Sequence, residues 1–296
     1  MLNPGPISDA GWNAIAYEGL MRIKDELGVE VRQKQSDNPS EWKTDLRNYA
    51  RSGCQLIFGH GFEYWGPINE VAPLFPDTVF ISSGGGEGAG PNYAFIDFML
   101  EEATYLAGIV AGAITKTNKI GLIAGQEIPP VRRSNNALMH GARLANPAVS
   151  FAEAFLGNWE DAGKAKEQAL AQIREGADLI YQNADKAGMG AFQAAAQSPG
   201  VYAFGSNKNQ NDIDPERIVA SAVMDVPHGF VLVAKSVRDG RFQAEPIHLG
   251  TKDGVIYLAI NEKLRGLIPQ SALDLVEREK ARILSGELDV NALGTP

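Results

Sequence analysis

The chain has 296 residues, of which 44% are hydrophobic and 21% are charged, and its formal net charge is −9. This composition is typical of a globular protein with one large domain or two of ordinary size. Negative charge is repelled by phosphate backbones and by anionic lipid surfaces, so it argues against nucleic acid and membrane surfaces as partners. The longest apolar stretch, 103–115, is too short to cross a bilayer, and no direct membrane span is expected.

Short apolar runs alternate with longer amphipathic stretches along most of the sequence. The runs are rich in Val, Ile, Leu and Phe and end at Gly, Ser or Asn, a pattern typical of strands. They predict strands at 29–33, 55–59, 78–82, 119–124, 150–155, 177–182, 201–205 and 218–223.

Helical periodicity occupies the intervals between these runs. Asp161 and Pro227 favour helix starts, and Gly28 and Gly176 favour helix ends because glycine enters the left-handed conformation without strain. The pattern predicts helices at 12–27, 39–51, 101–117, 131–145, 159–175, 189–197 and 227–239, then a β-rich stretch at 246–260 and a last helix at 270–284.

Alternation of strand and helix predicts an α/β fold with two Rossmann-like lobes, whose parallel sheets are joined by a hinge. The pattern runs through twice without a low-complexity linker. We expect lobe 1 to contain residues 1–114 plus about 226–255, and lobe 2 to contain 115–225 plus about 256–296. Ligands of open parallel sheets bind at the carboxyl ends of the strands, so the site is expected there, between the lobes.

Enzymatic chemistry lacks its defining parts in this sequence. Segment 157–164 has five residues between its glycines and no Ser or Thr after Lys164, unlike a phosphate loop. The glycine run 84–90 leads into a predicted strand at 93–96, so it lacks the helix N-terminus that binds a pyrophosphate. No histidine lies at metal-ligand spacing from another histidine or from Cys54, and no nucleophile elbow is present. We therefore expect a protein that is not an enzyme and holds no cofactor or metal.

Aromatic residues stand where several of the predicted strands end. Trp12 and Trp159 occupy comparable strand-to-helix turns, one in each half of the chain, and Phe62 follows the strand at 55–59. A single tryptophan at such a turn more often completes a core. Two at equivalent turns could stack on both faces of a planar ring, and each stacked pair contributes about 0.5–1.5 kcal/mol beyond burial.

Polar residues near strand ends are candidates for recognising the edge of such a ring. Asp185 could accept a hydrogen bond from a ring N–H or amino group, and its charge would strengthen that bond. It could equally cap a helix that begins near Gly188. The full set of polar candidates is Asp9, Asn13, Asp97, Asp185 and Asn207.

Several segments, spread over most of residues 5–240, resemble the basic membrane protein (BMP) family of ABC-transporter solute-binding lipoproteins, which have the type I periplasmic binding protein fold. The resemblance implies capture of a purine base or nucleoside between two lobes and delivery to an ABC transporter permease. It also implies a periplasmic or membrane-anchored extracytoplasmic location. The matching segments are 5–13 (Gly-Pro-Ile-Ser-Asp-Ala-Gly-Trp-Asn), 17–20, 102–108, 115–121, 136–137, 141–143, 146–147, 157–161 and 176–178.

The resemblance also bears on which solute is bound. In the nucleoside-binding branch an aromatic–Asn pair, matched by Trp12 and Asn13, accompanies an Asp and a Lys that grip the ribose. Those two positions are Asn207 and Met224 here, so the charge-assisted bonds to a ribose are lost.

The chain is more similar to the branch that holds free purines. That branch has Gly-Trp at the first turn, a Trp followed by an Asp in the second lobe, and an Asp after the second-lobe strand. The matching residues are Gly11 with Trp12, Trp159 with Asp161, and Asp185, and Phe62 fits an aromatic after the third strand. A purine base is the expected ligand, and a nucleoside-binding receptor of the same fold is the alternative.

The first strand departs from the family pattern. Family members have a full apolar strand before the Gly-Pro turn and an upstream cysteine that carries lipid, whereas only Met1, Leu2 and Asn3 precede Pro4 here. A start placed downstream of the natural one, or a trimmed chain, would account for this and for the missing export signal. A cytosolic ligand-sensing module is the other explanation that the missing signal leaves open.

Overall fold

A computed structural model describes residues 1–8 and 11–295. Its helices are α1 (Trp12–Leu27), α2 (Trp42–Arg51), α3 (Trp65–Val71), α4 (Leu100–Ile114), α5 (Pro129–Ala145), α6 (Ala162–Arg174), α7 (Met189–Gln197), α8 (Val226–Arg238) and α9 (Gln270–Ser285). Its strands are β1 (Leu2–Asn3), β2 (Lys34–Gln35), β3 (Leu56–His60), β4 (Val79–Ser83), β5 (Tyr93–Phe98), β6 (Lys119–Ala124), β7 (Ser150–Phe155), β8 (Leu179–Asn183), β9 (Tyr202–Asn207), β10 (Ile218–Met224), β11 (Ile247–Leu249) and β12 (Ile256–Ile260).

The chain divides into two compact units, each with its own sheet. Unit 1 comprises Met1–Phe98 and Asp225–Leu249, and unit 2 comprises Met99–Met224 and Gly250–Pro296. Among the described residues, the sheet of unit 1 has the order β11-β5-β4-β3-β1-β2 and that of unit 2 the order β12-β10-β9-β8-β6-β7. The α/β class predicted from the alternation of elements is confirmed.

Unit 1 is a parallel sheet with helices packed on it. Strand β3 pairs with β4 in register, Leu56 opposite Val79, and both strands bury Ile and Phe side chains. Helices α1 and α8 pack closely, because Gly19 leaves room for Pro227 and Phe230. A side chain at Gly19 would push the two helices apart.

The strand predicted at 29–33 is wrong. The structure has strand β2 at Lys34–Gln35 instead, paired with β1, which covers Leu2 and Asn3. A strand needs a partner for its backbone groups, and β1 does not extend alongside 29–33. A cavity of about 590 Å³ lies there, and its lining includes residues 29–32, residues 52–56 and Phe58.

Unit 2 is also parallel, except for one edge. Strands β6, β7, β8, β9 and β10 run in one direction, and β12 pairs antiparallel with β10, Ser221 opposite Ala259. The predicted strands at 119–124 and 150–155 coincide with β6 and β7. Helix α6 begins at Ala162, three residues later than predicted, because the Asp161 carboxylate caps it and leaves Trp159 in the preceding turn.

Helix α4 belongs to unit 2, whereas the sequence pattern predicted that residues up to 114 lie in lobe 1. It packs on α5 backbone to backbone. A Cβ at Gly108 would overlap the carbonyl oxygen of Leu138, and one at Gly141 would overlap that of Tyr105. Such a close approach holds the two helices in one core. Within the described part of the chain, no helix has both the length and the apolar character that crossing a bilayer demands.

The close packing of α4 on α5 predicts that a side chain at Gly108 lowers the stability of the protein. Gly108→Ala should lower the free energy of unfolding by about 1–3 kcal/mol, because the new methyl group meets a rigid carbonyl. Gly66→Ala is the matched control on α3, where a Cβ would meet no atom within 4 Å, and stability there should stay unchanged or rise by up to about 1 kcal/mol. Urea denaturation of both variants measures this, and equal stability of the two would contradict the close packing.

Candidate ligand-binding site

The carboxyl ends of the parallel strands of unit 1 meet at one edge of its sheet, where Trp12 begins helix α1. The indole of Trp12 stacks on the imidazole of His60, with ring centroids 4.2 Å apart and an interplanar angle of 24°. The ring of Phe98 lies nearly perpendicular to the same indole, with ring centroids 6.3 Å apart. The half-buried Trp12 ring is thus supported from within unit 1.

His60 at the end of β3 holds both the ring and the backbone of Trp12. Its Nε2 lies 2.9 Å from the carbonyl oxygen of Trp12, and a carbonyl only accepts, so Nε2 carries the hydrogen. Its Nδ1 lies 2.6 Å from Oγ of Ser83, whose hydroxyl can donate to it. The spacing of the histidines predicted no metal or catalytic site, and this supporting role of His60 was not predicted. The signal for it was the position of His60 between Gly59 and Gly61 at a strand end.

The glycine run passes close beside the aromatic residues of this edge. Gly84 has φ 125°, and a Cβ there would lie 3.2 Å from the backbone nitrogen of Phe62 and 3.4 Å from Cζ2 of Trp12. Phe62 itself is 48% exposed. Glycine at position 84 therefore lets the backbone of the run come close to the Trp12 ring, and both Trp12 and Phe62 lie near this glycine.

Of the two described polar candidates of unit 1, Asn13 is buried and Asp97 is half-buried. Asn13 is 9% exposed, and its amide nitrogen packs on Gly5. Asp97 lies on β5 opposite His248 of β11, and Oδ2 of Asp97 is 3.5 Å from Nδ1 of His248. Asp9 lies outside the described residues.

Glu63 follows Phe62 in the loop after β3. Burial raises the pKa of the Glu63 carboxyl, and a hydrogen bond from its own backbone opposes that shift. The side chain folds back over Gly61, where a Cβ would overlap the Glu63 carboxylate, and Gly61 has φ 120°. This carboxyl is therefore easier to protonate than a solvated one.

Trp159 lies at the corresponding edge of unit 2, in the turn after β7. Its ring packs directly on Gly125, where any Cβ would overlap the indole. Its carbonyl oxygen accepts a hydrogen bond from the backbone of Ala187 at 2.9 Å, which ties the turn after β7 to the turn after β8. The half-buried indole is thus oriented by two neighbouring loops.

Asp185 and Asn207 are brought together at this edge. Nδ2 of Asn207 donates to Oδ1 of Asp185 at 2.9 Å. The alternative role of Asp185 as a cap is not what the structure has, since α7 takes Gly188 as its N-cap residue without a side-chain cap bond. Asp161, which the resemblance offered as a ligand residue, is instead a cap: its Oδ1 accepts from the backbone nitrogen of Lys164 at 2.9 Å.

The position that carries Lys in the nucleoside branch is apolar and enclosed. Met224 at the end of β10 is 7% exposed, and the neighbouring strand β9 ends at the neutral Asn207, opposite Val223. Over the described residues, no three His, Cys, Asp or Glu side chains are grouped so that they could hold a metal ion.

Comparison with known proteins gives one family and several named relatives. A family model described as ABC transporter substrate-binding protein PnrA-like matches residues 1–293. A protein of Haloferax volcanii, provisionally named as an ABC transporter glucose-binding protein, is 30% identical over 285 residues, 96% of this chain and 71% of that protein. A purine-binding protein of Brucella abortus is 29% identical over 288 residues, 96% of this chain and 80% of that protein. The transcriptional activator protein med of Bacillus subtilis is 26% identical over 257 residues, 86% and 80% of the two chains.

Solved structures agree with these relatives. An ABC transporter solute-binding protein from Aeropyrum pernix K1 superposes with a TM-score of 0.86 at 26% identity, covering 97% of this chain and 91% of that one. A transcriptional activator of the comK gene from Bacillus halodurans superposes with a TM-score of 0.85 at 26% identity, covering 97% and 98%.

Proposed function

The chain belongs to the PnrA-like family of ABC transporter substrate-binding proteins, and from this premise we propose that its solute is a purine base. The protein would act outside the cytoplasm, in the periplasm or anchored to the membrane, and deliver the base to an ABC permease. Binding shifts an equilibrium between conformations and needs no covalent step, so the protein is not an enzyme.

The observation that carries the proposal is the presence of one half-buried indole at the strand-end edge of each sheet. The ring of Trp12 stacks on His60, and the ring of Trp159 packs on Gly125. Aromatic stacking rewards flat π-systems, and a purine is the flat heterocycle that also offers N–H groups at its edge. The name of the Brucella abortus relative supports the same class of ligand.

The polar groups of unit 2 favour a base over its nucleoside. Asp185 supplies a carboxylate that can accept from a ring N–H or an amino group, and Asn207 donates to that carboxylate. A ribose diol is best bound by charged side chains, and the side chains of Asn207 and Met224 are uncharged. A nucleoside is therefore expected to bind more weakly than its base.

Calorimetry tests the ligand class directly. The series contains adenine, guanine and hypoxanthine, their nucleosides, and D-glucose because of the Haloferax volcanii relative. We expect at least one base to bind with a Kd of about 1 µM or below, which is about 8 kcal/mol over about ten heavy atoms and within the ceiling for small ligands. One equivalent should bind per chain, and the base should be recovered chemically unchanged.

The other outcomes of this series separate the alternatives. A nucleoside that binds as well as its base would make the protein a nucleoside receptor. Binding of D-glucose without binding of any base would overturn the purine proposal, because the two indoles and the Asp185 edge would then serve another ligand.

A second candidate function is a cytosolic sensor that uses the same ligand. It is favoured by the similarity to the transcriptional activators of Bacillus subtilis and Bacillus halodurans. Fractionation of the producing cells, followed by detection of the protein with an antibody, distinguishes the two. Recovery in the cytosolic fraction would favour the sensor, and recovery outside the inner membrane would favour the transport receptor.

A further inference from the structure

Two buried amide side chains bind the loops that carry the Asp185–Asn207 pair of unit 2. Gln182 on β8 is 1% exposed and Gln210, just after β9, is 7% exposed. Nε2 of Gln182 donates to Oε1 of Gln210 at 2.7 Å. The bond links the segment that leaves β8 to the segment that leaves β9.

Each amide also binds the backbone immediately before one member of the pair. Oε1 of Gln182 accepts from the nitrogen of Ala184 at 3.1 Å, and Ala184 precedes Asp185. Oε1 of Gln210 accepts from the nitrogen of Ser206 at 3.0 Å, and Ser206 precedes Asn207. The two amides therefore tie together the two loops that carry the carboxylate and its donor.

Both members of the pair have a backbone conformation that is unfavourable for residues with a side chain. Asp185 has φ 47° and Asn207 has φ 68°. A hydrogen bond from the nitrogen of Lys208 to the carbonyl of Ser206 at 2.8 Å closes a tight three-residue turn around Asn207. Left-handed conformations persist when the surroundings determine them, and they concentrate at ligand sites.

The amides have little freedom to adopt another arrangement. A Cβ at Gly188 would overlap Oε1 of Gln182, and a Cβ at Gly205 would lie 2.7 Å from Oε1 of Gln210. The backbone nitrogen of Gln210 donates to Oγ of Ser221 at 3.1 Å, which anchors this residue to β10 as well. A buried hydrogen-bonded network of this kind favours one geometry.

We propose that Gln182 and Gln210 are positioning residues that hold Asp185 and Asn207 in place and thereby set how strongly the edge of the solute is bound. Neither amide needs to touch the solute, since each acts through the loop it binds. The inference rests on the proposed function for its effect on affinity, while its effect on the geometry of the pair is independent of any ligand.

The test uses the full chain with Gln210→Leu, in two measurements. In the crystal structure of the ligand-free parent, the 2.9 Å bond between Asp185 and Asn207 should be present. In that of the ligand-free variant, this bond should be lost and φ should differ at Asp185 or at Asn207. Calorimetry with hypoxanthine and adenine should show binding about tenfold weaker, and the loss should be non-additive with that of Asp185→Asn, because coupled residues share one interaction.

Matched variants separate positioning from a general loss of stability. Gln172→Leu removes another buried amide of unit 2. Nε2 of Gln172 donates to the carbonyl oxygen of Leu122 at 3.2 Å and not to the loops of the pair. The purine affinity of this variant should stay within about twofold of that of the parent. Gln210→Glu keeps an acceptor for both donors and should recover most of the affinity. Gln182→Leu replaces Gln210→Leu if the latter does not fold.

The outcomes distinguish this inference from the proposed function. If the variant keeps the Asp185–Asn207 bond and both left-handed conformations, the positioning role is overturned whatever binds. A displaced pair with unchanged purine affinity also overturns it. If the parent chain binds no purine, the proposed function fails, and the crystal structures still decide whether the amides position the pair.

Discussion

Replacing either Trp12 or Trp159 by alanine is expected to weaken purine binding by about 5- to 150-fold. Stacking of one base on an aromatic side chain contributes about 1–3 kcal/mol, and each 1.4 kcal/mol is a tenfold change in Kd. Each substitution removes one of the two half-buried indoles on which the purine proposal depends. Calorimetry of the two variants measures the change.

The size of the effect should follow the loss of the ring and not the loss of tryptophan itself. Trp12→Phe and Trp159→Phe retain a flat aromatic ring, so they should recover much of the affinity. Trp42→Ala is the control in unit 1, because the Trp42 ring packs on Tyr64 at 4.9 Å and is no part of the proposed site. If the alanine variants of Trp12 and Trp159 are folded and both bind purines with parental affinity, the stacking proposal is wrong.

Asp185→Asn is expected to have the second large effect, a loss of about 10- to 150-fold in affinity for a purine base. A hydrogen bond to a charged group is worth about 1.5–3 kcal/mol, and the neutral amide keeps the size of the side chain while it gives up the charge. The substitution should weaken bases that present two donors to Asp185 more than bases that present one. The same calorimetric series measures both.

Asp161→Asn is the matched control for this prediction. Asp161 is a carboxylate of unit 2 that caps α6 through the nitrogen of Lys164, and asparagine is an equally good cap. Its affinity for purines should stay within about twofold of the parent, since a cap acts on the helix and not on the solute. Equal losses for Asp161→Asn and Asp185→Asn would show that charge at this edge acts at long range and that Asp185 has no special contact.

The candidate site was predictable to the extent that it depends on local features. Trp12 and Trp159 follow glycines at strand-to-helix turns, and such turns are visible in the sequence because glycine and the onset of helical periodicity mark them. Asp161 was also recognised as a helix start from its position alone. Asp185 was left with two roles of equal weight, since one strand end looks the same whether its carboxylate caps a helix or pairs with another loop.

The remaining features depend on residues far apart in the sequence. His60 supports a tryptophan 48 positions away, and Asn207 pairs with an aspartate 22 positions away. The first pair exists because β3 and β1 are neighbours in the sheet of unit 1, and the second because β8 and β9 are neighbours in the sheet of unit 2; strand order is a result of packing. Asp97 illustrates the same point, as His248, which lies opposite it, comes from β11 at the other end of unit 1 in sequence.

The amino-acid sequence by itself determined the α/β class, the positions of most helices and strands, and the two aromatic turns, because periodicity and turn chemistry act over a few residues. Tertiary structure alone decided that residues 29–33 form no strand, that α4 packs with unit 2, and that Asp185 and Asn207 adopt left-handed conformations. The reason is physical: a strand needs a neighbour for its backbone hydrogen bonds, a helix needs a face to pack on, and a strained loop needs buried partners that hold it. Those partners come from distant parts of the chain and act only once it is folded.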